Sequence, residues 1–334
     1  MQGWPAYLVA FVLAAALAAW LTPRLRAAAI QFGIVDRPDG RLKTQREPVP
    51  YLGGLAIYLS FLVALAVSYR FSEPVLGMLL AGSIVVILGL IDDLGQLSPG
   101  IKLAGQVVAI WVLIKSGIFI KLVFLHPVAA MAISVLWLLA VTNAFNLIDI
   151  MDGLSAGTAA VAAVILLLVA HIDGRPTTAT LLAALAGACL GFLRYNFSPA
   201  RIYMGDTGSM FLGLMLGALA MDLAYTRHNR ISALAPALIL GVPLFDMLFV
   251  MYIRHQRGLP VMLGSPDHVA LRLRKWRLST RQTVVASYLV TGALGAAALI
   301  MIQLGTLGAL AVLLAVILIG LSVAIGLRRI DMSL

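Results

Sequence analysis

The chain has 334 residues, 62% of them hydrophobic and only 11% charged, with a mean hydropathy of +1.01. That balance excludes an ordinary soluble domain and predicts an all-α polytopic membrane protein. The net charge of +10 would suit a nucleic-acid binder, but the Lys and Arg residues are scattered between apolar runs, which excludes that partner and fits a basic inner membrane surface instead.

In chain order, apolar runs cover 4–21, 51–69, 74–91, 101–119, 127–148, 154–171, 177–192, 210–224, 233–253, 283–304 and 307–327. Lipid offers no partner to free backbone groups, so all eleven are predicted as transmembrane helices in one bundle. The first run has no Lys or Arg before Arg24 and no small-residue cleavage site, so it is expected to be a retained helix rather than a signal peptide. With eleven crossings, 18 of the 24 Lys and Arg residues fall on one side and 6 on the other. The richer side is expected to be cytoplasmic, with the N-terminus outside and the C-terminus inside. Residues 1–334 are expected to form a single integral-membrane domain with two long cytoplasmic loops, 22–50 and 254–282. The one cysteine, Cys189, lies in an apolar run beside Gly187 and Gly191 and reads as a small packing residue.

Polar residues gather at the ends of these runs. The clusters are Lys43-Thr44-Gln45-Arg46-Glu47, Asp92-Asp93, Asn143 through Asp152, Gly205-Asp206-Thr207-Gly208-Ser209 and Gly264-Ser265-Pro266-Asp267-His268. The predicted topology puts all of them on the cytoplasmic side. Of the 14 acidic residues, only Glu73, Asp173 and Asp222 fall on the other side. Two carboxylates about 4 Å apart repel by about 4 kcal/mol at an effective dielectric near 20, so several around one pocket call for a cation. Carboxylate and amide oxygens suit a hard ion such as Mg²⁺, with Mn²⁺ as an alternative, and no Cys or His pair has zinc spacing. Lys43, Lys102 and Arg201 are what a phosphate would want nearby. Acid, metal and base together point to phosphoryl transfer. Asn143, Asn146, Asp149 and Asp152, spaced by three, would share one slowly turning helix face. Each cluster also has a plainer reading: Asn143 and Asn146 as helix-to-helix contacts, Asp206 as a helix cap, His268 as a solvated loop residue. A transporter is the main competing function. Its charges would lie near the midplane, whereas these lie at one end and no inverted repeat is visible. A different membrane phosphotransferase or a lipid-phosphate hydrolase is a second alternative.

The ordered set Pro50-Tyr51-Leu52-Gly53-Gly54, Gly89-Leu90-Ile91-Asp92-Asp93, Thr142-Asn143-Ala144-Phe145-Asn146-Leu147-Ile148-Asp149, Met204-Gly205-Asp206-Thr207-Gly208-Ser209 and Pro243-Leu244-Phe245-Asp246 resembles the polyprenyl-phosphate N-acetylhexosamine-1-phosphate transferases, relatives of phospho-N-acetylmuramoyl-pentapeptide translocase. The resemblance runs from about Asp36 to about Ser279. It implies a multi-pass protein of the inner (cytoplasmic) membrane, compatible with a homodimer. The implied reaction takes a UDP-N-acetylamino sugar and a polyprenyl phosphate, undecaprenyl or similar, to a polyprenyl-diphosphate sugar and UMP, with Mg²⁺. By the same resemblance Asn146 and Asp206 are metal ligands, Asp92 and Asp93 face the lipid phosphate with one a candidate base, and Asp149 is an active-site acid. Lys43 and Lys102 would contact phosphate, with Lys43 counted among the catalytic residues and Asn143 among those binding substrate, and Asp152 and Tyr203 would hold the uracil. The family's last cytoplasmic loop usually carries a His-x-His-His cluster, and here only His268 stands in His268-Val269-Ala270-Leu271. That departure suggests that Arg272 or Arg274 joins His268 in gripping the donor, and it places the chain nearer the simple-sugar branch, with N-acetylglucosamine as the expected sugar.

Overall fold

The computed structural model describes residues 3–36, 48–68, 72–95, 97–122, 124–260, 265–330 and 332. Helices α1 (Trp4–Gln31), α2 (Gly53–Ser68), α3 (Glu73–Gly95), α4 (Pro99–Lys115), α5 (Pro127–Leu147), α6 (Leu154–Ile172), α7 (Pro176–Asn196) and α8 (Gly205–Met221) make up most of a first compact unit, Met1–Leu223. A second unit, Ala224–Leu334, holds a 3₁₀ turn (Ile231–Leu234), α9 (Ala235–Ile239), α10 (Gly241–Gln256), α11 (Val269–Lys275), α12 (Thr280–Gln303) and α13 (Thr306–Arg328).

A helix stands where each apolar run was predicted. Among the described residues, seven helices are long and apolar enough to cross a membrane, or eight if one bent pair counts as a single span. The bent pair is Ile231–Ile239 with Gly241–Gln256, which meet at 84°. Apolar composition alone predicts one continuous helix here. Pro243, in the first turn of α10, supplies no backbone N–H to the preceding turn, so the chain can break at Leu240-Gly241. The loop expected from residue 22 starts later, because α1 continues to Gln31. Beyond the apolar run, Thr22 hydrogen-bonds back to the Ala18 carbonyl, Arg24 lies over the Trp20 ring, and Arg26 donates to the Arg201 carbonyl. The second expected loop contains α11.

Small residues set the packing of the first unit. Ala6, Ala10, Ala14 and Ala18, four apart on α1, are buried and let its backbone approach α7 closely. A Cβ on Gly187 or Gly191 of α7 would overlap the α1 carbonyls of Phe11 and Ala15. Helix α8 is buried on nearly every side and packs against α3, α5 and α2. Its approach to α3 needs Gly89, whose Cβ would lie 2.5 Å from the Thr207 Cα. A short antiparallel pair, β1 (Val35–Asp36) with β2 (Val49–Pro50), leads into Tyr51. From there Gly53 and Gly54 donate to the Tyr203 and Met204 carbonyls, holding the start of α2 against the start of α8. A Cβ on Gly54 would overlap the Gly208 backbone, which cannot turn away as a side chain can. Gly54→Ala is therefore expected to cost at least about 1–3 kcal/mol by overpacking, read as a lower melting temperature and reduced yield of monodisperse protein in detergent.

Candidate active site

The site in the first unit is built from four helix ends, those of α3, α4, α5 and α8. Asp92 and Asp93 close α3, Lys102 lies in the first turns of α4, and Asp206 lies in the first turn of α8. The Lys102 Nζ stands between two carboxylates, 2.8 Å from Asp92 Oδ2 and in direct contact with Asp206 Oδ2. Asp206 Oδ1 accepts from Asn146 Nδ2 at 2.9 Å, and the same amide reaches Ser209 Oγ at 3.0 Å. Asp92 Oδ1 accepts from the Leu97 amide at 2.5 Å, which fixes the turn between α3 and α4.

Asp93 does something different from its neighbour. Its two oxygens accept from the Asp206 amide at 2.8 Å, the Thr207 amide at 3.1 Å and the Thr207 hydroxyl at 2.6 Å. It is an N-terminal cap on α8 supplied by another helix, where free amides and the helix dipole favour an anion. Gly205 makes room for it, since a Cβ there would lie 2.5 Å from Asp93 Oδ2. Of the two carboxylates expected beside a lipid phosphate, Asp92 is held by Lys102 and the Leu97 amide, and Asp93 holds the helix that presents Asp206.

Asn143 is engaged between two helices. It donates to Gln106 Oε1 and to the Leu139 carbonyl, both at 2.8 Å, and Gln106 Nε2 returns a bond to its oxygen at 3.4 Å. Both of its N–H groups are engaged, and the residue joins α4 to α5. Asp152 Oδ2 accepts from the Ala200 amide at 2.9 Å, which ties the turn after α5 to the segment leading to Tyr203. The Tyr203 ring is half-buried, 6.4 Å from the Tyr51 ring, and its hydroxyl pKa is pushed up to about 12 by burial and by Asp152, Asp36 and Asp149. Tyr51 hydrogen-bonds to the buried Asp36. Neither Tyr51, Asp36, Gln106 nor Ser209 was singled out from sequence. Tyr51 and Ser209 lie inside quoted motifs, but nothing local marks which of their neighbours they touch. Lys43 lies outside the described residues.

Asp149 lies just past the C-cap of α5, Ile148, and among the described residues its carboxyl group has no hydrogen-bond partner. Burial, and then the nearby Asp206, Asp93 and Asp152, push its pKa well above the usual carboxylate range. The folded protein therefore holds the proton more tightly than the unfolded chain. The cost of charging Asp149 is absent at pH below the unfolded value of about 3.9 and grows as pH rises toward the folded value. Asp149→Asn, neutral at every pH, is expected to raise the melting temperature at pH 8, with the gain shrinking toward pH 4. A gain that instead grows on acidification would overturn this assignment.

Asp92, Asp206 and the Asn146 amide oxygen are hard donors of the kind Mg²⁺ takes, and the ammonium of Lys102 already marks a place where positive charge is held between the carboxylates. Among the described residues no group of three His, Cys, Asp or Glu side chains is spaced to enclose a metal. An ion here would depend on oxygens of a phosphorylated ligand, which is how Mg²⁺ is usually held.

In the second unit, His268 Nδ1 lies 2.6 Å from Asp246 Oδ2, and both side chains are buried. Arg272 is 1% exposed and faces Asp267 and backbone carbonyls. Arg274 is exposed.

With this geometry in place, likeness to known proteins is informative. The pattern described as Glycosyl transferase family 4 matches residues 75–224, the stretch that carries Asp92, Lys102, Asn146 and Asp206. A probable undecaprenyl-phosphate N-acetylglucosaminyl 1-phosphate transferase of Bacillus subtilis is 33% identical over 291 residues, covering 84% of this chain and 81% of that protein. The chain belongs to the polyprenyl-phosphate N-acetylhexosamine-1-phosphate transferase family. A decaprenyl-phosphate N-acetylglucosaminephosphotransferase of Mycobacterium tuberculosis strain H37Rv is 33% identical over 325 residues, covering 85% of this chain and 80% of the relative. A phospho-N-acetylmuramoyl-pentapeptide-transferase of Chlamydia trachomatis is 53% identical, but over 93 residues only, 27% of this chain and 28% of the relative. Membership of this transferase family accounts for polar residues collected at helix ends, where a water-soluble and a lipid substrate can meet.

Proposed function

We propose that this protein transfers N-acetylglucosamine-1-phosphate from UDP-N-acetylglucosamine to a polyprenyl phosphate, releasing UMP at the cytoplasmic face of the membrane. The observation that carries the proposal is the Lys102 ammonium held between Asp92 and Asp206, with Asn146 on the far oxygen of Asp206. The finer topology, eleven crossings with the N-terminus outside, belongs to the same proposal and rests on the split of Lys and Arg residues.

In the reaction a P–O bond forms between an oxygen of the prenyl phosphate and the sugar-bearing phosphorus, and the bond from that phosphorus to UMP breaks. Asp92 would take a proton from the lipid phosphate or orient it. Lys102 uses two of its three N–H groups on carboxylates, and the third is available to a phosphate oxygen. Asp206 and Asn146 would hold Mg²⁺, which would neutralise charge building on the diphosphate. Tyr203 and Asp152 offer a ring and a carboxylate to the uracil. The test is a panel of UDP-sugars with undecaprenyl phosphate in detergent, scored for UMP and for lipid-linked product. UMP release that depends on both the UDP-sugar and the lipid phosphate is expected, fastest with UDP-N-acetylglucosamine. Absence of lipid-dependent UMP release across the panel would overturn the function, and a different best donor would overturn the sugar.

A further inference from the structure

The second unit contains a buried arginine that a surface-charge reading does not explain. Arg272 lies in α11, in a run that also holds Arg274 and Lys275, both exposed. Its Nε donates to the Asp267 carbonyl at 3.1 Å and Nη2 to Asp267 Oδ1 at 2.6 Å. Nη1 donates to the carbonyls of Leu327 at 3.0 Å and Ile330 at 2.8 Å, at the C-terminal end of α13. Four of the five guanidinium N–H groups are engaged within the protein, and the plane lies over the Phe249 ring, 5.4 Å from its centroid. Around it, Phe249, Ile253 and Leu327 form an apolar core against which Val269, Leu273, Ala324 and Ile330 pack. Asp267 is 1% exposed and also takes Arg257 Nη1 at 3.0 and 3.1 Å and Ser265 Oγ at 3.1 Å. Between Asp267 and Arg272 stands His268, whose ring and following amide are held by Asp246 at 2.6 and 2.7 Å.

We infer that Arg272 is a positioning residue: it latches the His268 segment onto the last carbonyls of α13, so that the C-terminal helix fixes the direction of the His268 ring. The physical reason for arginine is geometric. A planar fork can reach a carboxylate, its own chain's carbonyl and two helix-end carbonyls together, whereas a lysine ammonium offers three donors from a single point. The helix end also gains, since a cation is favoured there, and the Leu327 carbonyl that takes Arg272 also accepts from the Ile330 amide just past α13. Asp246 meanwhile occupies Nδ1 of His268, which leaves Nε2 as the other ring nitrogen that the latch orients, in a residue that is 2% exposed. That His268 meets the donor is what the family resemblance implies, so the link to donor binding rests on the transferase reading, and the latch itself does not.

The test uses the full-length protein in detergent with Ala270→Cys as a reporter, since Ala270 is 5% exposed and the native Cys189 is fully buried. Maleimide labelling at position 270 is compared among the parent, Arg272→Ala and Arg272→Lys. Both variants are expected to label at least about tenfold faster, roughly the change that accompanies a loss of 1.4 kcal/mol of protection. In the transfer assay, Arg272→Ala is expected to raise the donor KM by the same factor as His268→Ala, and the double variant to add nothing further. A merely structural lesion would lower kcat through the active fraction and leave KM alone. If Arg272→Ala does not give folded protein, Arg272→Lys and Asp267→Asn carry the same comparison. A raised donor KM with parental labelling would overturn the latch in favour of direct donor contact. Faster labelling with an unchanged donor KM would overturn the positioning role while leaving the transferase reading intact.

Discussion

Asp206→Ala is expected to lower kcat by about three orders of magnitude or more, the scale of losing a principal electrostatic group in a phosphoryl-transfer site. Two contacts depend on that side chain. Asn146 Nδ2 loses its 2.9 Å acceptor, and Lys102 is left with Asp92 alone. The uncompensated Lys102 then holds Asp92 more closely, which lowers the basicity the reaction needs. Because Asp206 is in the first turn of α8 and its backbone amide, not its side chain, takes the Asp93 cap, the helix should persist. Circular dichroism and the melting profile should therefore change little while UMP release collapses. Near-normal turnover with its Mg²⁺ dependence intact would rule out this role for Asp206.

The adjacent acids should behave differently from each other. Asp92→Asn is expected to reduce kcat by about 10²–10⁴, the usual range for a general base, with UMP binding to the purified protein largely retained. Asp93→Asn should instead destabilise the site, because an amide presents N–H to backbone N–H where a carboxylate accepted three hydrogen bonds. Loss of a cap of this kind costs about 0.5–2 kcal/mol, so the melting temperature should fall together with donor binding. Calorimetric UMP titrations and thermal melts of both variants separate the two roles. If Asp93→Asn keeps the parental melting temperature and nucleotide affinity and loses only turnover, Asp93 is a reacting group and not a cap.

Much of this protein was legible without coordinates. Apolar runs long enough to form helices, Gly-rich contacts and the collection of acids at run ends are all local properties, and lipid leaves the backbone little choice but to be helical. The ordered motifs identified the family, and Asp92, Lys102, Asn146 and Asp206 do meet. What composition could not reveal was which of two identical neighbours does which work. Asp92 and Asp93 differ only in direction around α3, and the partner that distinguishes them is the end of α8, 113 residues away in the chain. The 84° break near Leu240 was hidden because the run is apolar on both sides of it. The protein partners of Asn143 and Arg272 were hidden for a common reason. A polar side chain announces that it needs partners, but only the packing of α4 on α5 and of α11 on α13 decides whether those partners are substrate or the protein's own amide and carbonyl groups. Sequence by itself determined the helical membrane class and the chemistry of the residues gathered at the helix ends. The tertiary structure decided their hydrogen-bond assignments, because these depend on angles and distances between segments far apart in the chain.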